Sequence, residues 1–83
     1  MASNNDEIVT RPSHYTAYDI EPVEFCIRNN LDFATGNIVK YALRRGKKTY
    51  EGKTPNESAI IDLQKVQRYA QMLINHYEGK GVL

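Results

Sequence analysis

Thr54-Pro55-Asn56-Glu57 opens the longest periodic run in the chain and sets what the rest can fold into. Threonine at the cap, proline at the first helical position and glutamate three residues after the cap form a capping box. Ala59, Leu63, Val66, Ala70, Leu73 and Tyr77 then recur at spacings of three and four, with Ile60 and Ile74 widening the stripe, up to a stop at Gly79. The spacing predicts one helix from Pro55 to about Tyr77, roughly 33 Å long at about 1.5 Å per residue. No other segment of this 83-residue chain matches that length. Part of the helix must therefore pack elsewhere, and a small subunit completes its core most readily against a second copy. The expected fold is all-α, a three-helix subunit assembled as a homo-oligomer.

Two shorter helices precede it. The first is expected from Ile20 to Asn29, with Asp19 as N-cap, Pro22 in the first turn and Ile20, Val23, Cys26 and Ile27 as the buried stripe. Glu21 and Glu24 suit the positive end of its dipole better than they suit a metal. Leu31 and Phe33 are expected to plug the core between the first and second helices. The second helix starts near Asp32 or Thr35, either of which can cap it, and carries Ile38, Val39, Ala42 and Leu43 as its apolar stripe. Arg44 and Arg45 sit at its negative end, and Gly46 stands where a terminating glycine belongs.

The opposite side of this second helix draws attention to function. Asn37, Lys40, Tyr41 and Arg44 recur at i, i+3, i+4 and i+7 and share one face. An amide, an ammonium, a phenol and a guanidinium together suit a phosphorylated, aromatic ligand. The bland alternative is a solvated basic face whose tyrosine covers the edge of the core. Between Lys40 and Lys53 six positive residues (Lys40, Arg44, Arg45, Lys47, Lys48 and Lys53) stand against Glu51 alone, a local charge of +5. Such a patch expects an anion. The chain as a whole carries only +1, which argues against a nucleic-acid polymer. On the long helix, Asp62 and Lys65 are placed to face the second helix and to orient Lys40 or Arg44 by pairing; a surface i, i+3 pair is the plainer alternative.

The loop Gly46 to Thr54 contains Gly52-Lys53-Thr54, which imitates the end of a phosphate-binding P-loop. The spacing from Gly46 is one residue too long, and a helix precedes the loop where a P-loop needs a strand, so a true P-loop is rejected. Its glycines and lysines still lead onto a helix N-terminus, a setting that favours phosphate.

Residues 1–10 read as a flexible arm, 11–78 as a single helical domain and 79–83 as a tail. His14 and Tyr15, in a loop set by Pro12, follow no periodic pattern, so a ligand contact competes with simple pinning of the loop. The single cysteine, Cys26, excludes an internal disulfide and reads as a small buried thiol. The polar N-terminus lacks an apolar signal core and no run is long enough for a membrane span, so a cytoplasmic protein is expected.

His14-Tyr15, Gly36-Asn37, Lys40-Tyr41, Arg44, Gly46-Lys47-Lys48, Asp62-Leu63, Lys65 and Tyr69, in that order and spacing, resemble a small family of phage proteins of uncertain function described as SaV-like or nucleotide-kinase-like. The similarity runs from about Pro12 to Ile74. Arg45 departs from it, standing where a small residue is expected, and adds to the basic patch. The resemblance implies an α-helical phage protein that handles nucleotides in the cytoplasm of the infected host.

These observations lead to a nucleotide-binding reading. Asn37 is expected to meet the ligand's polar edge. Lys40, Arg44 and Lys47 or Lys48 are expected to hold phosphate, and Tyr15 or Tyr41 to stack on the base. His14 would donate to phosphate or ribose, while Asp62 and Lys65 orient the cations. Capture of a phosphorylated nucleotide is favoured, including sequestration of a host nucleotide-derived defence signal. A nucleoside monophosphate kinase-like phosphotransferase is the alternative, and a helical protein-interaction module comes third. Binding calls for no cofactor. Mg2+ is expected only with phosphotransfer, and Glu24, Asp32, Glu51 and Asp62 are scattered rather than paired for it. On this reading Arg44→Ala loses ligand affinity with folding intact.

Overall fold

The computed structural model describes residues 18–83. Among them the chain forms three helices: α1 (Pro22–Arg28), α2 (Phe33–Arg44) and α3 (Pro55–Tyr77). The arm at residues 1–10 and the segment holding His14 and Tyr15 lie outside the described residues.

Local chemistry sets the helix ends. In α3, Thr54 Oγ1 accepts from the Glu57 N–H at 3.1 Å while Glu57 Oε1 accepts from the Thr54 N–H at 2.8 Å, completing the capping box. Asp32, not Thr35, caps α2, accepting from the Thr35 N–H and the Thr35 hydroxyl at 2.8 Å each. Gly46 follows α2 at φ +76°, a left-handed conformation that costs glycine little and other residues more. Helix α1 is shorter than expected. It begins at Pro22 after Glu21 rather than after Asp19, and it ends at Arg28, where Asn30 turns left-handed at φ 52°. The Leu31 N–H then bonds back to the Cys26 carbonyl at 3.0 Å.

The packing departs from the expected apolar core. Among the described residues no large apolar side chain is fully buried. Ile20, Val23 and Ile27, expected in the α1 stripe, are at least half exposed. Phe33 is 79% exposed instead of plugging the core, and meets Tyr69 edge-on with ring centroids 6.2 Å apart. Cys26 is half-buried against α2, its thiol 3.8 Å from the Gly36 carbonyl. A methyl group on Gly36 would sit 3.6 Å from that sulfur, an ordinary van der Waals contact. The apolar stripe of α2 (Ile38, Val39, Ala42 and Leu43) lines an open groove of about 490 Å³ shared with Pro22 and Phe25 of α1.

Helix α3 turns Asp62 and Lys65 toward α2 as expected, but its apolar stripe does not form the interior. Ser58 and Asp62 are buried and Lys65 and Tyr69 half-buried, all on the side facing α2. Leu63 and Tyr77, expected inside, are 44% and 82% exposed. The reason is electrostatic. The polar row of α3 meets the polar row of α2, and a buried charge must lie beside its partner.

Candidate functional site

The interior between α2 and α3 is an ionic and aromatic cluster. Arg44, in the last turn of α2, points at α3 and places Nη2 3.2 Å from Asp62 Oδ1. Arg44 is 6% exposed and Asp62 fully buried. Tyr50 arrives from the loop between the two helices. Its backbone N–H donates to Ser58 Oγ at 2.9 Å, which fixes the loop against the first turns of α3. Its hydroxyl donates to Asp62 Oδ1 at 2.6 Å and accepts from Arg44 Nη2 at 2.5 Å and from Lys65 Nζ at 3.0 Å. One phenol thus joins two cations to one carboxylate. Arg44 Nε and Asp62 Oδ2 are buried without a hydrogen-bond partner.

Further cations gather on the same rings. Arg44, Lys40 and Lys65 lie over Tyr41, with centroid distances of 4.5, 4.8 and 4.8 Å. Lys65, Lys48 and Arg44 approach Tyr50 at 4.8, 5.5 and 5.8 Å. Tyr69 stacks on Tyr41 at 6.1 Å with the planes 10° apart. The electron-rich faces of the tyrosines offset part of the repulsion among these cations. The Tyr50 hydroxyl, more than any other group, holds the Lys65 ammonium above the ordinary lysine range. Burial works to lower the Arg44 pKa, but Asp62, Tyr50 and Tyr41 together outweigh it and raise it. Both residues therefore stay charged at neutral pH. Four cations (Lys40, Arg44, Lys48 and Lys65) gather on the Tyr41 and Tyr50 rings while Asp62, paired with Arg44, is the one carboxylate bonded into the cluster, so this face holds surplus positive charge.

Of the residues expected in the site, the structure brings together Lys40, Tyr41, Arg44, Lys48, Asp62 and Lys65. Asn37 lies half-buried on α2, one turn before Tyr41. Lys47 points elsewhere, over Tyr18 at 5.8 Å. His14 and Tyr15 lie outside the described residues. Arg44 must be reassigned: it is a buried structural cation, so Arg44→Ala would strand the Asp62 carboxylate rather than leave folding intact. Tyr50 is the residue that sequence reasoning missed, because it lies in a loop without periodicity. The anion-seeking charge and the groove between α1 and α2 occupy different places; the groove is lined by apolar side chains and includes none of the four cations. Among the described residues no group of three or more His, Cys, Asp or Glu side chains gathers, and no helix is long and apolar enough to cross a membrane. The one carboxylate of the cluster is already engaged by Arg44 and Tyr50, which suits it to orienting cations rather than to holding a metal.

The model of DUF3310, a family of proteins of unknown function, matches residues 9–71. That span encloses Lys40, Arg44, Tyr50, Asp62 and Lys65. Nucleotide kinase gp1.7 of Escherichia phage T7 is 37% identical over 78 residues, which is 84% of this chain and 36% of that protein. The chain thus spans little more than a third of the relative's length. No solved structure matches it.

Proposed function

The chain belongs to the DUF3310 family, and from that membership and the cluster between α2 and α3 we propose that it binds nucleoside phosphates and serves nucleotide kinase-type phosphotransfer. The observation that carries this reading is the gathering of Lys40, Arg44, Lys48 and Lys65 around Tyr41 and Tyr50 with Asp62 as the lone counter-charge. The name of the phage T7 relative supports phosphotransfer over capture without turnover.

The division of labour follows from burial. Asp62 and Tyr50 hold Arg44 and Lys65 in place. Arg44 is buried and Lys65 is bonded to the Tyr50 hydroxyl, whereas Lys48 is exposed and Lys40 is half-buried with its ammonium only over the Tyr41 ring, so these two are the cations freest to meet a phosphate. Tyr41 already carries cations and Tyr69, which assigns it to the phosphate end of the ligand rather than to base stacking. Phosphoryl transfer asks mainly for positioning and neutralisation of developing charge, and preorganised cations supply both. In the proposed reaction the terminal phosphoryl group leaves a nucleoside triphosphate and joins a phosphate oxygen of a nucleoside monophosphate, giving two diphosphates. Magnesium, where it takes part, would arrive with the triphosphate; it would shield the phosphate charges.

The test is incubation of the full chain with ATP and each nucleoside monophosphate, with and without Mg2+, followed by chromatography of the nucleotides and native mass spectrometry of the protein. New diphosphates that disappear in the Lys40→Ala/Lys48→Ala variant support the proposal. A nucleotide retained unaltered would instead favour capture, including sequestration of a nucleotide-derived defence signal. Neither ligand nor product would overturn the site.

A further inference from the structure

The outward face of α3 carries a second pattern that the nucleotide site does not use. Ile60, Leu63, Gln67, Ala70, Ile74 and Tyr77 recur at alternating spacings of three and four, the a and d positions of a heptad sustained over the helix. Ile60, Leu63, Ile74 and Tyr77 are 54%, 44%, 49% and 82% exposed. Ser58, Asp62, Lys65 and Tyr69 project from the other side of the helix, toward α2. With 12 residues against 23, α2 is too short to cover α3 along its length. A chain whose described residues bury no large apolar side chain has left Ile60, Leu63, Ile74 and Tyr77 of this seam outside.

We propose that this seam is a self-association surface, on which α3 pairs antiparallel with α3 of a second copy about a two-fold axis between Arg68 and Tyr69. The seam is self-complementary in that arrangement. Ile60 meets the partner's Tyr77, Leu63 meets the partner's Ile74, and Gln67 meets the partner's Ala70. Each layer then joins a larger side chain to a smaller or equal one, as close packing requires. A parallel pair would set Tyr77 against its own copy and Ala70 against its own copy, crowding one layer and emptying another. The flanking Gln64 and Gln71 are uncharged, so no like-charge repulsion opposes the approach. The central Gln67 is a polar seam residue of the kind that fixes register. Complete burial of these side chains on both copies would remove on the order of 1,000 Å² from water, the lower bound for a specific interface. The seam faces away from Asp62 and Lys65, so pairing leaves the phosphate-binding face open.

Sedimentation velocity and chemical cross-linking of the full chain test this. The wild-type protein is expected to sediment as a dimer or an even multiple of it, and Leu63→Glu/Ile74→Glu to halve the assembled mass. A monomeric wild type, or a double-glutamate variant of unchanged mass, overturns the proposal. Because that variant can also fail to fold, pairing is read directly in a Cys26→Ser background. Leu63 and Ile74 are eleven residues apart on one helix, about 16 Å along its axis, too far for a bond within one chain. Oxidised glutathione should therefore link Leu63→Cys/Ile74→Cys into covalent dimers and leave Leu63→Cys alone unlinked. Equal linking of the single variant would mean a parallel pair and overturn the antiparallel arrangement. Absence of linking in the double variant would remove the seam.

Discussion

Arg44 Nη2 lies 3.2 Å from Asp62 Oδ1, and these two charged residues are buried more deeply than any large apolar side chain among the described residues. The centre of the described residues is thus an ion pair bracketed by Tyr50, Tyr41 and Lys65. Removing two charges from water is costly, and Arg44 Nε and Asp62 Oδ2 recover none of that cost through hydrogen bonds. Such a pair contributes specificity of arrangement more readily than net stability. It fixes which face of α3 meets α2, and so which residues are left on the basic face.

Asp62→Asn should destabilise the fold by about 3–5 kcal/mol, because it leaves the Arg44 guanidinium buried without its counter-charge. Arg44→Met/Asp62→Leu, which removes both charges and keeps volume, should recover most of that loss. Urea denaturation followed by helical circular dichroism measures both. A single variant as stable as the wild type would mean that the pair is not buried.

Tyr50→Phe keeps the ring under Lys65 and Lys48 but removes the hydroxyl that serves Asp62, Arg44 and Lys65. The expected loss is about 1–3 kcal/mol, the cost of unmaking hydrogen bonds to charged groups. The Lys65 ammonium should titrate at lower pH in this variant, since the hydroxyl is the main group raising it. Side-chain NMR of the lysine amines reads that shift independently of stability.

The parts of this fold that were legible in the sequence are those decided within a turn or two of chain. Thr54 and Glu57 are three residues apart, and their reciprocal hydrogen bonds follow from that spacing alone. Gly46 and Gly79 adopt the positive φ expected of glycines that end helices. Asp62 and Lys65 were placed toward α2 by helical period. What could not be read was that the interior there is polar and the apolar rows stay at its edges. Helix α3 carries an apolar row on each side of its polar face, and periodicity does not say which row turns inward. Arg44 and Asp62 decide that across 18 residues of sequence, by a pairing that depends on burial. Tyr50 was hidden for a related reason, since its position rests on Ser58, eight residues away, and on the course of a loop.

Stability should fall at both ends of the pH scale for identifiable reasons. Lys65 has its folded pKa raised above 10.5, so its contribution is complete below the ordinary lysine range and is lost as pH rises through the folded value. Asp32 is held below 3.8, first by the Thr35 N–H and then by the Thr35 hydroxyl. Its contribution is present above the ordinary aspartate value and is lost as pH falls through the depressed one. Thermal melts across pH should show the alkaline limb flattened by Tyr50→Phe and the acid limb by Asp32→Ala. Limbs unchanged in both variants would assign the titrations to other groups.

Gly46→Ala should cost about 1–2 kcal/mol, the penalty for a side chain in the left-handed region. Beyond its chain neighbours nothing lies within 4 Å of the added methyl, so backbone conformation carries the effect. Thermal denaturation measures it, and a neutral outcome would mean that the end of α2 adopts another conformation.

The basic face makes the most discriminating demand. Lys48 and Lys40 approach Tyr50 and Tyr41, whereas Lys47, adjacent in sequence to Lys48, lies over Tyr18. Lys48→Ala and Lys40→Ala should each weaken nucleoside triphosphate binding roughly tenfold, about 1.4 kcal/mol. Their stability should change by less than about 0.5 kcal/mol, as for surface substitutions generally. Lys47→Ala should leave affinity unchanged, although it removes the same charge from the same loop. Isothermal titration calorimetry at fixed ionic strength separates the possibilities. Equal losses in all three variants would show that bulk charge rather than this geometry attracts the nucleotide, and no loss in any would remove the phosphate site from this face.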